Sequence, residues 1–201
     1  MRFRHKCGVM YITEKVLYQI ERKYGVPQIL RTAYTMDKRS FELLEWSMRH
    51  GRAHDVTPFI FDGDNIAVIR KPSYPPGVFR PPSGGIEPGE DFEDGVHREA
   101  FEETGLKILL RQYLLKVLVN FSYEDTEVFW TSHVFTAQAV GGNLQPVDTK
   151  EIADARWASF EELKTHLLLS LQNAKAPGLR YRGELQAAVI KKLAGRMGHE
   201  N

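Results

Sequence analysis

The amino-acid sequence predicts an α/β fold in which a mixed sheet lies between helical layers, preceded by a small helical extension. Short apolar runs rich in β-branched and aromatic residues, typical of strands, alternate along the chain with amphipathic helical patterns. Polar turn residues separate many of these segments. The 201 residues, of which 42% are hydrophobic and 26% charged, suffice for one well-buried domain with an appendage.

The first 55 residues form the predicted extension. Residues 13–24 and 37–50 predict two helices, each with apolar side chains recurring on one face, and residues 28–34 predict an extended piece between them. His54 is interpreted as a surface residue rather than a metal ligand. Two helices that each have one apolar face cannot form a core of their own. We therefore expect them to pack on the rest of this chain or on a second copy, and the protein to be a homodimer.

A hairpin and a stiff loop follow the extension. The apolar runs at residues 56–61 and 66–70 flank the turn sequence Asp-Gly-Asp-Asn and predict two antiparallel strands. Residues 71–82 contain five prolines, which exclude a regular helix or a central strand. Arg70, Lys71 and Arg80, on or beside this loop, are candidates to bind phosphate oxygens of a substrate, and the alternative is that they are ordinary solvated cations.

The next segment, residues 84–106, reads GGIEPGEDFEDGVHREAFEETGL and predicts a glycine-rich turn that leads into a short helix. Asp91 is suited to cap the amino-terminal end of this helix, and Gly105 is suited to the left-handed position after its last residue. Phe92, Val96 and Ala100 recur every four residues and predict one buried stripe.

Three carboxylates share one side of this predicted helix. Glu99, Glu102 and Glu103 stand at positions i, i+3 and i+4, which lie on the same face. Like charges at this spacing repel each other, and a divalent cation such as Mg²⁺, which prefers carboxylate oxygens, would offset the repulsion. The alternative is a solvated acidic face.

The remainder of the chain completes the sheet and its cover. Residues 108–120 and 128–139 predict two longer strands, and residues 146–155 predict a loop that carries the three acids Asp148, Glu151 and Asp154. We expect Trp157 to introduce a short helix at residues 160–169, and a last amphipathic helix to cover one face of the sheet.

Charge and composition argue against some classes of partner. The formal net charge of +1 does not favour a general nucleic-acid or membrane-surface binder, and no apolar run reaches the length needed to span a bilayer. The single cysteine, Cys7, excludes an internal disulfide and fits a reducing compartment, so we expect the protein to be cytoplasmic.

The glycine-rich segment with its helix resembles the Nudix box, G-x5-E-x7-R-E-U-x-E-E-x-G-U, where U is aliphatic. The resemblance extends from about residue 56 to the last helix, so residues 56–201 form the predicted Nudix domain. It implies an α/β/α sandwich. All nine defined positions match, namely Gly84, Glu90, Arg98, Glu99, Ala100, Glu102, Glu103, Gly105 and Leu106.

This resemblance also implies an activity and a set of site residues. Known members of the family hydrolyse nucleoside diphosphates linked to another group, using Mg²⁺ or Mn²⁺. Carried over by position, Glu99, Glu102 and Glu103 become metal ligands, and the backbone carbonyl of Ser83 completes the coordination. The resemblance further implies an ion pair that fastens the loop to the helix, formed by Glu90 and Arg98.

Two further residues follow from the resemblance. Family members often supply another carboxylate from a loop a few residues before a tryptophan, and Glu151 precedes Trp157 by six residues. Asp148 and Asp154 compete with Glu151 for this role, and the general base is either Glu151 or one of the box acids Glu99 and Glu102. Tyr123, at 17 residues past Leu106, matches a tyrosine linked to recognition of diadenosine polyphosphates, although a packing role is the alternative.

The expected reaction is attack of a metal-activated water on a phosphorus of a nucleoside diphosphate derivative, releasing a nucleoside monophosphate. The expected partner is therefore a small molecule and not nucleic acid. A Nudix-fold sensor or regulator that binds a nucleotide without cleaving it is one alternative. An enzyme that processes RNA ends is another, and it would need a basic groove with stacking platforms.

Overall fold

A mixed sheet of seven strands organises the computed structural model, which describes residues 11–48 and 51–197. The strand order is β1-β5-β6-β2-β3-β7, with the short β4 paired to β2. The pairs β1–β5 and β2–β6 are parallel and the others antiparallel, which confirms the predicted mixed sheet. The strands are β1 Gln28–Thr35, β2 His54–Asp62, β3 Asn65–Arg70, β4 Gly84–Gly85, β5 Leu106–Tyr123, β6 Thr126–Gly142 and β7 Asp154–Ser159.

Helices cover both faces of this sheet. In β3, Ile66 and Val68 belong to one apolar cluster and Ala67 to another, because successive side chains of a strand point to opposite faces. The first cluster includes side chains of α2 and α6, and the second includes side chains of α1 and α3. The α/β/α sandwich is thus confirmed. The helices are α1 Glu14–Tyr24, α2 Lys38–Ser47, α3 Phe92–Thr104, α4 Phe160–Glu162, α5 Leu168–Gln172 and α6 Pro177–Met197, with a π-helical turn, Leu163–Leu167, between α4 and α5.

The amino-terminal segment packs on the same chain. Leu17 and Ile20 of α1 are buried against the cluster that contains Val96 of α3, and Phe41 of α2 is buried in the cluster on the other face. The extended piece is strand β1, which lies at the edge of the sheet and runs parallel to β5. The division of the chain at residue 55 and the homodimer stay predictions.

Two expectations were wrong. Residues 154 and 155 were assigned to a loop and Trp157 to the start of a helix, but all three lie in β7, where Trp157 pairs with Ala67 of β3. Because β7 is an edge strand with little buried surface, its sequence carries no clear apolar alternation. His54, at the start of β2, is buried, because the rings of Tyr11 and His133 pack against its side chain.

Some sequence-based statements fall outside what the structure describes. Cys7 and the predicted helix end at residues 49 and 50 lie outside the described residues. Among the described residues, no helix combines the length and the apolar character that crossing a membrane requires.

Candidate active site

Helix α3, which carries the predicted metal ligands, is capped at both ends. The Asp91 carboxylate accepts hydrogen bonds from the backbone N–H groups of Glu93 and Asp94, at 2.9 and 3.3 Å, and so satisfies two donors of the first turn. At the other end Gly105 has a φ of 73°, the left-handed conformation predicted for it. The predicted stripe is buried against the sheet, which leaves Glu99 and Glu102 on another face of the helix.

Arg98 connects the box loop with the helix. Its Nε donates to Glu90 Oε1 at 2.7 Å and its Nη2 to Glu90 Oε2 at 2.9 Å, a bidentate geometry that restricts both side chains. The same Nη2 donates to the carbonyl of Gly85 at 2.9 Å. Nη1 contacts Glu99 Oε1 at 2.9 Å and Glu102 Oε2 at 3.0 Å. One guanidinium therefore holds the loop and orients two of the predicted metal ligands.

Glu99 lies in a tight cradle beside Gly84. A Cβ atom added at Gly84 would lie 1.6 Å from Glu99 Oε2, so the carboxylate occupies the space that any other residue would need. Burial raises the pKa of the Glu99 carboxyl to about 7, and the adjacent Arg98 guanidinium opposes that rise. The ionised form of Glu99 is therefore costly in this environment, and a cation at the carboxylate would stabilise it.

Glu103 lies deeper and is surrounded by donors. Its side chain is buried, and Oε2 accepts the backbone N–H of Ser83 at 2.6 Å. Lys71 Nζ and Arg80 Nη2 lie 3.8 and 3.6 Å from Oε1. Arg80 is itself buried and donates to the Tyr74 hydroxyl at 2.7 Å. The proline-rich loop thus brings two cations to the box acids, as its position in the sequence suggests.

The acidic loop after β6 is docked on the end of α3. The backbone N–H groups of Val147 and Asp148 donate to the Glu102 carbonyl at 3.0 and 2.9 Å. The Asp148 carboxylate accepts from the backbone of Lys150 and Glu151, so it shapes the loop. Glu151 projects further, with 65% of its side chain exposed, and forms an ion pair with Lys71 at 2.9 Å.

These groups line one cavity of about 570 Å³. A volume of this size falls within the range of roughly 300–1,000 Å³ that is usual for small-molecule sites. Its lining contains several of the residues predicted as site residues, together with Asp148, which competed with Glu151 for the loop carboxylate. The predicted site residues in this lining are Arg80, Ser83, Arg98, Glu99, Glu102, Glu103 and Glu151.

The cavity does not include three other predicted residues or Asp154. Glu90 does not line the cavity and is paired with Arg98. Arg70 does not line it either, and its backbone carbonyl accepts the N–H of Ala153. The ring of Tyr123 packs at 5.9 Å from that of Phe41, the packing role named as its alternative, and Asp154 begins β7.

Sequence reasoning missed several residues that line the same cavity. Asp55 is buried and accepts from Arg182 Nη2 at 2.5 Å, while its Oδ1 has no hydrogen-bond partner among the described residues. Tyr74, Trp130 and residues of α2 also line the cavity. The apolar pattern of α2 indicates which side is buried, but nothing in it distinguishes a cavity wall from an ordinary exposed face.

The donor set fits a hard divalent cation. Glu99, Glu102 and Glu103 offer carboxylate oxygens, which Mg²⁺ and Mn²⁺ prefer. Within the described part of the chain, no three His, Cys, Asp or Glu side chains converge closely enough to hold a metal ion as they stand. Arg98 Nη1 instead contacts both Glu99 and Glu102. The three acids stay the predicted ligands.

A comparison with solved structures finds two named hydrolases. A NUDIX hydrolase from Nitrosomonas europaea is 21% identical, with a TM-score of 0.46 over 66% of this chain and 86% of that one. An Ap4A hydrolase from C. elegans is 17% identical, with a TM-score of 0.46 over 71% of this chain and 98% of that one.

Curated relatives match half to two thirds of the chain. NAD-capped RNA hydrolase NudC of Pseudomonas syringae pv. tomato is 33% identical over 105 residues, which are 50% of this chain and 34% of that protein. The mitochondrial NAD(P)H pyrophosphatase NUDT13 of Mus musculus is 30% identical over 143 residues, 68% of this chain and 40% of that protein. The match thus spans about a third of the NudC relative.

The family assignment rests on a match over most of the chain. The NUDIX domain matches residues 51–181, a range that contains the box, its loop and the strands that position them. The complete box, the sandwich fold and this match agree, and the chain belongs to the Nudix hydrolase family.

Proposed function

We propose that the protein hydrolyses the diphosphate linkage of a nucleoside diphosphate derivative and releases a nucleoside monophosphate. One observation carries the proposal: buried Glu103 lies within 4 Å of both Lys71 and Arg80, on a cavity that Glu99 and Glu102 also line. Acids that suit a metal ion thus lie beside cations that suit phosphate oxygens. Hydrolysis of a diphosphate needs both.

The predicted metal ligands are Glu99, Glu102, Glu103 and the Ser83 carbonyl. Mg²⁺ or Mn²⁺ bound there would neutralise phosphate charge and lower the pKa of a bound water. Arg98 holds Glu99 and Glu102 in position, while Lys71 and Arg80 stabilise negative charge on the phosphate oxygens. Glu151 accepts the proton of the attacking water in this proposal, because it lines the cavity and its exposed carboxylate is held there by the ion pair with Lys71.

We propose dinucleotides of the NAD type as the substrate class, with support from the relatives. The names of two of them specify NAD-capped RNA and NAD(P)H, both of which contain a diphosphate between two nucleosides. The cavity volume is compatible with such a ligand. NAD-capped RNA is a second candidate, because the NudC relatives are named for it. We therefore no longer exclude nucleic acid as a partner. The two candidate substrates are a free dinucleotide and the NAD-capped end of an RNA.

Monophosphate release with Mg²⁺ is the deciding measurement, using NADH, ADP-ribose, a diadenosine polyphosphate and a short NAD-capped RNA in parallel. We expect cleavage of at least one dinucleotide, and we expect Glu102→Gln to lower its turnover by about a hundredfold or more, since a metal ligand is lost. Glu127→Gln is the matched control, because Glu127 is exposed and lies outside the cavity. Nucleotide binding without any hydrolysis would instead favour the sensor or regulator.

A further inference from the structure

Part of the cavity lies outside the candidate active site. Besides the box acids and their cations, the lining includes two strand residues and one face of α2, a surface that we call the α2 subsite. It consists of Ser40, Leu43, Leu44, Ser47, Phe121 and Trp130. None of the proposed metal ligands or phosphate-binding cations belongs to it. This surface has no role in the cleavage step proposed above.

The α2 subsite is partly built by sequence that precedes the family match. The NUDIX domain matches residues 51–181, whereas α2 ends at Ser47. Phe41 fastens the helix to the sheet with a side chain that is only 3% exposed, in the cluster that also contains Trp130. Leu43, two residues along, is 61% exposed and lines the cavity. The helix is thus held in place by one face and presents another to the cavity.

The chemistry of the α2 subsite suits a planar apolar group. Phe121 and Trp130 are buried side chains of β5 and β6, and Leu43 and Leu44 add aliphatic surface. Tyr181, a neighbouring lining residue, directs its hydroxyl to Ser132 Oγ at 2.6 Å, so it is already paired. Aromatic and aliphatic walls with few polar groups favour an aromatic ring over a charged or sugar-like ligand.

The charged side chains of the cavity lie outside the α2 subsite. Lys71 and Arg80 lie beside the box acids, where a diphosphate would bind. Arg182 is paired with Asp55 at 2.5 Å and donates to Thr57 Oγ1 at 3.2 Å. The α2 subsite itself has two serines and no ionisable side chain. A ligand with a charged middle and an apolar end matches this distribution.

We propose that the α2 subsite binds a heterocyclic base of the substrate, so that residues before the family-matched domain determine which base is preferred. The inference rests on the proposed function, because it is the diphosphate at Lys71 and Arg80 that directs the rest of the molecule along the cavity. The chemical class of the ligand is a purine or nicotinamide ring attached through ribose.

The test compares Leu43→Ala and Leu43→Glu with Leu169→Ala. Leu43 and Leu169 are both exposed leucines on helices, but only Leu43 lines the cavity, and neither is part of the buried core. We measure kcat and KM on NADH and on phosphoribosyl diphosphate, which has a diphosphate and no base. Binding of AMP and of nicotinamide mononucleotide is measured by calorimetry on the same proteins.

We expect Leu43→Ala to raise KM for NADH by about five- to tenfold with kcat nearly unchanged, and Leu43→Glu to raise it further, since lost contact weakens binding. The kinetics on phosphoribosyl diphosphate and the Leu169→Ala variant should show no change. Equal KM values for NADH in wild type and both Leu43 variants would overturn the proposal while leaving the hydrolase intact.

A wild-type protein without metal-dependent hydrolysis would contradict the proposed function, and calorimetry then decides the α2 subsite separately. Mononucleotide binding that Leu43→Glu weakens at least fivefold would still support the subsite. Mononucleotide binding that is absent, or that is equal in wild type and Leu43→Glu, would overturn it.

Discussion

Gly84 shows how much of the site depends on contacts between residues distant in sequence. The box pattern identifies both Gly84 and Glu99, but it does not reveal that they touch. In the structure, Glu99 Oε2 lies where a Cβ at position 84 would be. We therefore expect Gly84→Ala to displace the Glu99 carboxylate and to lower turnover at least tenfold, while the free energy of unfolding changes little, because the displaced atoms lie at the end of a flexible side chain.

Metal titration by calorimetry and urea unfolding would check this effect. Gly141→Ala is the control, since a Cβ there would meet only Lys107 Cδ, at 4.0 Å. If Gly84→Ala retained normal turnover and normal Mg²⁺ affinity, Glu99 would not be positioned by this cradle.

Glu151 is the second test at the scale of residues. It pairs with Lys71 and lines the cavity, whereas Asp148 holds the loop through backbone N–H groups and Asp154 lies outside the cavity. If Glu151 is the base, Glu151→Gln should reduce kcat at saturating substrate and Mg²⁺ by about 10²- to 10⁴-fold with a much smaller change in KM. Steady-state kinetics of Asp148→Asn and Asp154→Asn provide the controls. Small, equal effects of all three would return the role to Glu99 or Glu102.

The pairing of Glu90 with Arg98 followed from the box resemblance, and the structure shows that contact. The further contacts of Arg98 with Glu99 and Glu102 did not, because they depend on which rotamers the loop and helix permit. Arg70 and Tyr123 illustrate the converse. Their residue types suit phosphate or base recognition, yet strand pairing and packing on Phe41 place them away from the cavity.

At the scale of elements, three strands are joined by a buried chain of hydrogen-bonding rings. His54 Nδ1 of β2 lies 3.0 Å from His133 Nε2 of β6, and His133 Nδ1 lies 2.5 Å from the Tyr113 hydroxyl of β5. Burial lowers the pKa of His54 to about 4 and the pKa of His133 well below its usual value. Both rings are therefore neutral in the folded protein at pH 7.

This arrangement predicts a specific dependence of stability on pH. Between the unfolded pKa of about 6.5 and the lower folded values, the unfolded chain binds protons that the folded chain does not. The two histidines should thus lower the free energy of unfolding as the pH drops below about 6.5, by up to about 1.4 kcal/mol per pH unit each. Glu99, whose pKa is raised from 4.5 to about 7 in the folded protein, acts in the opposite direction over this range, so the expected net fall is about the contribution of one histidine.

Urea unfolding at pH 7.5, 6.5, 5.5 and 5.0 measures this slope. His54→Gln should flatten it, whereas His166→Gln, which changes an exposed histidine, should not. A free energy of unfolding that is constant from pH 6.5 to 5.0 in the wild type would contradict the prediction.

The sequence predicted the elements with strong local signals. The cap at Asp91, the left-handed Gly105 and the hairpin between β2 and β3 follow from the residues themselves. Strand β7 was missed because its existence depends on pairing with β3 rather than on its own apolar pattern. The burial of His54 was missed for the same kind of reason, since it depends on contacts with Tyr11 and His133, which are distant in sequence.

At the scale of the whole molecule, the helical patterns of the first 48 residues were predictable but their docking partner was not. A stripe of apolar residues predicts that one face of a helix is buried, but it does not predict which element packs against that face. The structure places α1 over β5, on the same face of the sheet as α3, and adds β1 to the sheet beside β5. The amino-terminal segment and the Nudix domain therefore share both apolar clusters.

Shared clusters predict that the whole chain unfolds as one cooperative unit, and adjacent residues of α1 test it. Leu17 is 3% exposed and packed in the cluster under α3, whereas Tyr18 is 61% exposed. We expect Leu17→Ala to lower the free energy of unfolding by about 2–5 kcal/mol and to shift the entire transition, because it opens a cavity in the common core. Tyr18→Ala should change it by less than about 0.5 kcal/mol.

Urea unfolding followed by both tryptophan fluorescence and circular dichroism reports whether the transitions coincide. A separate early transition, with Leu17→Ala affecting that transition alone, would show instead that the amino-terminal segment unfolds independently of the catalytic sheet.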